Sequence, residues 1–180
     1  MPITIEFFVA PDDEVAAQVG PRQRRHGFPA LACADFYPDD AVEDWEVLLA
    51  GGVATGSRDV VPMRNDGFTV FELPSRLCSA LIQASSGRLV EVAGAWAELA
   101  AVKDEGVRAE TAAEILMGLA DLARRAEGSR QPLYCCTSHP DREPRYSRRP
   151  TPHLAASQAR EEGFSPGGGA GRTRAGERSG

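Results

Sequence analysis

Gly51-Gly52-Val53-Ala54-Thr55-Gly56-Ser57 sets two glycines at the spacing of a phosphate-binding loop. That motif continues with a lysine that neutralises the β- and γ-phosphates, then a Ser or Thr that holds the metal. Ser57 and Arg58 stand there instead, after a helical pattern where a strand is required. The stretch reads as a helix stop and a loop.

Asp39, Asp40, Glu43, Asp44 and Glu46 form the densest acidic cluster. Asp40, Glu43 and Asp44 share one face of a helix. Carboxylates so placed can hold a divalent cation or meet a basic surface. They also suit the positive end of a helix dipole as plain solvated residues. The functional reading kept for testing is a partner-binding surface of Asp39, Asp40, Glu43 and Asp44.

Other chemistry is scarce. His26, His139 and His153 are the histidines, and two of them lie in a C-terminal tail. One histidine in a polar loop assembles neither a Ser-His-Asp nor a Cys-His arrangement. Cys33, Cys78, Cys135 and Cys136 have no metal-like spacing, and a bridge between the adjacent Cys135 and Cys136 would be strained. Cys33, Cys78 and Cys135 have apolar neighbours and read as buried, inert thiols of a reducing compartment. No catalytic residue, metal ligand or cofactor is assigned.

The elements that would position these residues follow from hydrophobic period and turn chemistry. Ser85 to Gly128 holds two amphipathic helices: Leu89, Val92, Ala93, Trp96, Leu99 and Ala100 line the first. Ala112, Ile115, Leu116, Leu119, Leu122, Ala123 and Ala126 line the second. Ile3 to Val9 reads as a buried strand. Pro11 with Asp12, Asp13 and Glu14 opens a short helix that Gly20-Pro21 stops. Gln23 to His26 is a polar loop, and Ala30 to Ala34 a second short strand.

Pro38-Asp39-Asp40 starts a better helix with Val42, Trp45, Leu48 and Leu49 inward, and Gly51-Gly52 ends it. Residues 53 to 59 are a loop. Val60 to Met63 and Phe68 to Leu73 flank Arg64-Asn65-Asp66-Gly67 as a hairpin. Pro74 begins a helix with Leu77, Cys78, Leu81 and Ile82, and Pro132 to Cys136 is the closing strand. Trp45 and Trp96 belong to the core.

The fold class is therefore α+β or mixed α/β. It is one small domain, with a mixed sheet covered by helices and the first and last strands adjacent in the centre. Both are apolar on nearly every residue, as strands covered on two faces are.

The chain has 180 residues, 42% of them hydrophobic, and a net charge of −6. Residues 1–137 carry 12 Lys+Arg against 21 Asp+Glu, or −9, and residues 138–180 carry 8 against 5, or +3. An acidic globular domain is followed by a basic tail. Of its 43 residues, 25 are Gly, Pro, Arg or Ser, too few hydrophobes to offset backbone entropy of about 1–2 kcal/mol per residue. It is expected to be disordered and dispensable; the alternative is a basic arm that binds nucleic acid or folds back on the acidic domain, which the opposite charges permit. Arg142, Arg145, Arg148 and Arg149 could contact phosphates, but Asp141 and Glu143 dilute them and only Tyr146 is aromatic, which argues against nucleic-acid binding. Arginine outnumbers lysine 19 to 1, which reads as GC-rich codon usage.

The start, Met-Pro-Ile-Thr-Ile-Glu-Phe-Phe-Val, lacks the basic region and apolar core of a signal peptide. No apolar run approaches the ~20 residues that span a bilayer. The expected place is the cytoplasm, with no membrane association.

Three stretches carry a resemblance. They are Asp44-Trp45-Glu46-Val47-Leu48-Leu49-Ala50-Gly51, Leu73-Pro74-Ser75-Arg76-Leu77, and Leu122-Ala123-Arg124-Arg125-Ala126 ahead of Leu133-Tyr134-Cys135. In this order, over about residues 1–136, the chain resembles the DUF1877 (YfbM-like) family of small uncharacterised bacterial proteins and related actinobacterial proteins. The first stretch is similar to a Trp-containing helix ending in Leu-Leu-x-Gly, and the last to the helix and strand that close that fold. Cys136 stands where relatives place a tryptophan after the Tyr-Cys pair. The resemblance implies the fold and brings no activity.

Two functions of different class follow from these observations. One is a non-enzymatic interaction module, regulatory or antidote-like, that meets a basic protein on its acidic surface. The alternative is a small enzyme or ligand-binding protein with a cleft lined by carboxylates and a thiol, which a pocket beside Cys33 or Cys78 would favour.

Overall fold

A computed structural model describes residues 3–19, 27–65, 67–99 and 106–138 of the chain. The polar loop at residues 23–26 with His26, the Gly20-Pro21 stop, Asp66, Ala100 and residues 139–180 of the tail lie outside the described residues.

The first strand, β1 (Thr4–Val9), sends Ile5, Phe7 and Val9 to one side and Phe8 to the other. A short helix, α1 (Asp13–Gln18), follows. Its N-cap is Asp12, whose Oδ1 accepts the Val15 N–H at 2.9 Å, so Pro11 stands outside the first turn rather than in it. The second strand is β2 (Ala30–Ala34), with the bounds the sequence implies.

The next helix, α2 (Pro38–Ala50), begins with Pro38 and the acids Asp39 and Asp40, as the dipole prefers. It stops at Gly51, where φ of 75° suits a residue without a side chain.

The strands β3 (Arg58–Val61) and β4 (Thr69–Glu72) form the expected hairpin, though β3 starts two residues early, inside the expected loop. Its side chain explains the shift: Arg58 is held opposite Glu72 by Nε donating to Oε2 at 2.8 Å. Gly67, at φ 77°, closes the turn by donating to the Arg64 carbonyl at 2.9 Å.

Among the described residues, α3 (Ser75–Gln83), α4 (Ser86–Ala97) and α5 (Ala109–Ser129) lie between β4 and the last strand. Helix α4 ends before Leu99, which is 37% exposed and not part of the inward stripe. Helix α5 runs past Gly128 to a left-handed cap at Arg130, and all seven residues of its expected stripe are buried. The closing strand, β5 (Leu133–Ser138), runs two residues beyond Cys136.

The sheet order is β2-β1-β5-β4-β3, so the first and last strands are neighbours and β5 is central. Every pairing is antiparallel, and the mixed sheet expected from the sequence is replaced by an antiparallel one. The apolar runs of β1 and β5 have the cause the sequence implies, cover on both faces. Helices α2 to α5 cover one face of the sheet, while α1 and Phe28 cover Phe8, Val70, Tyr134 and Cys136 on the other. Two cores bury both faces without a parallel crossover.

The larger core is centred on aromatic rings from separate elements. Trp45 of α2 and Trp96 of α4 meet edge to face at 4.8 Å between centroids. Phe36 lies 5.9 Å from Trp45 and 5.5 Å from Trp96, and Phe7 of β1 lies 6.1 Å from Trp45. All four side chains are buried, and edge-to-face contact adds to the stabilisation from their buried area. Helix α5 closes over β2 at Gly118, where a Cβ would stand 3.1 Å from Leu31 Cδ1.

Removing the Trp96 indole leaves a cavity at this junction. Trp96→Ala is expected to cost about 3–5 kcal/mol of stability, read as a lower urea midpoint. A midpoint that barely moves would place the indole outside the core.

Candidate functional site

Helix α2 carries the acidic cluster, and the structure divides it. Asp39, Asp40 and Glu43 are exposed and Asp44 is half-buried on the outer face. Glu46 turns inward and has no solvent exposure. Its position explains this: Glu46 follows buried Val42 by four residues and adjoins buried Trp45, so it lies on the inward row.

A buried carboxylate must be compensated. Thr55 donates twice to Glu46, through its backbone N–H to Oε2 at 2.9 Å and its hydroxyl to Oε1 at 2.7 Å. Arg76 of α3 approaches Oε1 to 3.7 Å. The Gly51–Ser57 loop, the near-match to a phosphate loop, thus folds back onto its own helix.

Arg76 also fastens the end of α2. Its Nη1 donates to the Val53 carbonyl at 2.8 Å, and its Nη2 to Ala50 at 3.2 Å and to Gly51. Arg88 of α4 donates to the Leu48 carbonyl at 2.7 Å. Helix α2 has no basic residue in its own last turn, so two arginines from other helices cap its negative end. Beside them a cleft of about 420 Å³ is lined by Leu49, Arg76, Ser79, Gln83 and Arg88, among others. None of its lining residues is a carboxylate or a thiol.

The outer face is different. Among the described residues no cation pairs with Asp39, Asp40, Glu43 or Asp44. Partial burial raises the Asp39 carboxyl, and then Asp59 of β3, Asp40 and Glu43 raise it further. Burial likewise raises Asp44, followed by repulsion from Asp40 and Glu43. Asp59 therefore joins the site from another element, which no sequence period reveals. Tyr37, 60% exposed ahead of the helix, and Val47, 40% exposed, bracket the acids. The spacing 37, 40, 44, 47 is that of one helical face and was the available signal.

A second polar group fastens α1. Arg58 donates to both Asp13 oxygens, at 2.8 and 2.9 Å, and also binds Glu72. The Tyr134 hydroxyl donates to Asp13 Oδ1 at 2.9 Å. The bond from Arg58, then that from Tyr134, lowers the Asp13 carboxyl. The cysteines are free thiols. Burial raises Cys33 to about 12, Cys78 to about 11 and Cys136 to about 12, and raises Cys135 well above its ordinary value. All four are protonated at neutral pH and are poor nucleophiles there.

Two predictions follow from these environments. Glu46→Ala removes the acceptor for Thr55 but leaves Arg76, 37% exposed and held by carbonyls, without a stranded charge. The expected cost is about 2–3 kcal/mol, with faster proteolysis within residues 51–57. An unchanged midpoint and cleavage rate would show that the carboxylate does not hold the loop.

For Asp39 and Asp44 the folded pKa lies above the ordinary 3.8. Their favourable contribution is present below that value and is lost as pH rises through the folded pKa. Asp39→Asn with Asp44→Asn should therefore stabilise the protein at pH 7, by on the order of 0.5 kcal/mol given solvent screening. The advantage should vanish as acid titrates the wild type. A double variant less stable than wild type at pH 7 would contradict this electrostatic picture.

No helix among the described residues is long and apolar enough to cross a membrane. No protein-family model, curated protein or solved structure matches the chain.

Proposed function

We propose that this protein is a non-enzymatic interaction module of the cytoplasm, regulatory or antidote-like, that docks a basic protein on the outer face of α2. The observation that carries this reading is the crowd of carboxylates, Asp39, Asp40, Glu43 and Asp44 with Asp59 beside them, which meet no cation among the described residues and stand between exposed Tyr37 and Val47. Burial and then the neighbouring carboxylates raise Asp39 and Asp44, and a partner's Arg or Lys side chains relieve that repulsion on binding. The exposed aromatic and aliphatic side chains supply the apolar contact that charge alone lacks.

Several further features support the reading. Protonated thiols raised by burial are poor nucleophiles, and the Arg76–Arg88 cleft lacks the carboxylates and thiol that an enzyme of the alternative kind would use. Free cysteines suit a reducing compartment. The likeness of the Trp45 helix to the DUF1877 group belongs to this reading and brings no catalytic residues with it.

The test is affinity capture from a native cytosol with the full chain as bait, followed by titration of the captured protein against wild type and Asp40→Lys with Asp44→Lys. Binding should weaken steeply with added salt. The double reversal should reduce affinity at least tenfold while the circular dichroism spectrum stays unchanged. A partner whose binding ignores both salt and the double reversal would rule out this surface.

A further inference from the structure

The two edges of the sheet are protected unequally. At one edge, β3 has a register break between Asp59 and Val61, charged Arg58 and Asp59, and Pro62 directly after it. Bulges, charges and prolines are the devices that keep an edge strand from pairing with another chain. At the other edge, β2 reads Ala30-Leu31-Ala32-Cys33-Ala34, with Pro29 before it and Asp35 after it, but within the strand it has no charge, no proline and an unbroken register with β1.

The direction of the β2 backbone groups follows from the register. The Val9 N–H donates to the Pro29 carbonyl at 3.1 Å, which makes Val9 and Pro29 a hydrogen-bonded pair. Such pairs recur every second residue in an antiparallel ladder, so Leu31 and Cys33 face β1 through Phe7 and Ile5. The intervening Ala30, Ala32 and Ala34 turn their N–H and C=O groups to the free edge. The next ladder agrees: Ala10 donates to the Pro132 carbonyl, which assigns the outward groups of Thr4, Glu6 and Phe8 to β5. No described residue beyond β1 pairs with β2.

We propose that β2 pairs with β2 of a second copy of this chain, antiparallel about a two-fold axis through Ala32, and joins the two sheets into one. The sequence is self-complementary about that point. Ala32 meets Ala32 of the second copy, Ala30 meets Ala34, and Leu31 meets Cys33, so every outward backbone group finds a partner and no like charges stand opposite. Centring on Leu31 or Cys33 instead leaves outward groups at one end of the strand unpaired. The alanine side chains at the edge are exposed and too small to obstruct a neighbour. A strand of five residues is a small interface, so the dimer is weak and concentration-dependent. The net charge of −6 on each chain opposes it, so salt strengthens the pairing by screening. Docking of a basic protein on α2 has the opposite salt dependence.

Sedimentation equilibrium of the full chain, across concentration and at low and high salt, tests this. The expected result is a monomer–dimer equilibrium that shifts toward dimer as salt rises. Ala32→Lys sets two ammonium groups against each other at the axis and should weaken dimerisation at least tenfold, with an unchanged tryptophan fluorescence spectrum. Ala32→Cys places two thiols across a hydrogen-bonded pair, at a Cα separation of about 5.5 Å that a disulfide can span. With diamide accepting the thiol hydrogens, this variant should cross-link through position 32 while wild type does not. A chain that stays monomeric at every concentration overturns the proposal. So does a dimer that survives Ala32→Lys, or a wild-type cross-link through Cys33, which marks a different register.

Discussion

A carboxylate without solvent exposure determines how the helical half of this protein is put together. Glu46 sits one residue from Trp45, and the indole in the core commits its neighbour to the interior. Leaving an ionised group there unpaired would cost several kcal/mol. The backbone must therefore return over it, which is why the chain turns at Gly51 and brings Thr55 back within 2.9 Å. Arg76 must lie alongside, which fixes where α3 starts relative to the end of α2. Since Arg88 of α4 caps the same helix end, one buried charge and one helix terminus organise three helices and a loop.

Local signals made most of the fold legible. Pro38 with two acids and Gly51-Gly52 bounded α2 because caps act within a turn of the residues that form them. The seven-residue stripe of α5 was legible because burial and helical period coincide there. Misreadings fall where a distant residue decides. The expected loop begins its strand at Arg58 because Glu72 lies opposite, and Glu46 leaves the solvated cluster because Thr55 and Arg76 come to meet it. The antiparallel sheet was hidden for a related reason. Phe8 and Tyr134 are buried by α1 across the sheet, and a sequence of apolar residues does not record which element covers each face. Of the candidate site, the four outer acids were legible from spacing, whereas Asp59 arrives by the hairpin and was not.

The last strand of the described residues joins the two halves of the sheet. β1 with β2 and β3 with β4 are each adjacent in sequence, but the two pairs touch only through β5. Phe71 and Phe7 both face Cys135, on either side of the central strand. Until residues 133–138 are in place the larger core has helices on one side and two separate ribbons on the other, and a lone two-stranded ribbon is marginal in water. Such long-range pairing slows folding through loop-closure entropy. It also leaves β2 as an edge both before and after β5 is inserted, which makes the lack of charge on that strand more telling than its short length.

Three kinds of carboxylate explain why the functional reading rests on α2 and not elsewhere. Asp13 is held by the Arg58 fork and the Tyr134 hydroxyl, so its charge is favourable and its role is to fasten α1. Its contribution is present at neutral pH and is lost as pH falls through its depressed pKa. Glu46 has its oxygens occupied by Thr55 and is closed to any ligand. Asp39 and Asp44 have neither compensation among the described residues: they are partly desolvated, both face Asp40 and Glu43, Asp39 also faces Asp59, and their pKa values are displaced in the direction opposite to Asp13. A fold that satisfies two of these acidic sites leaves the third crowded, with no cation against it among the described residues.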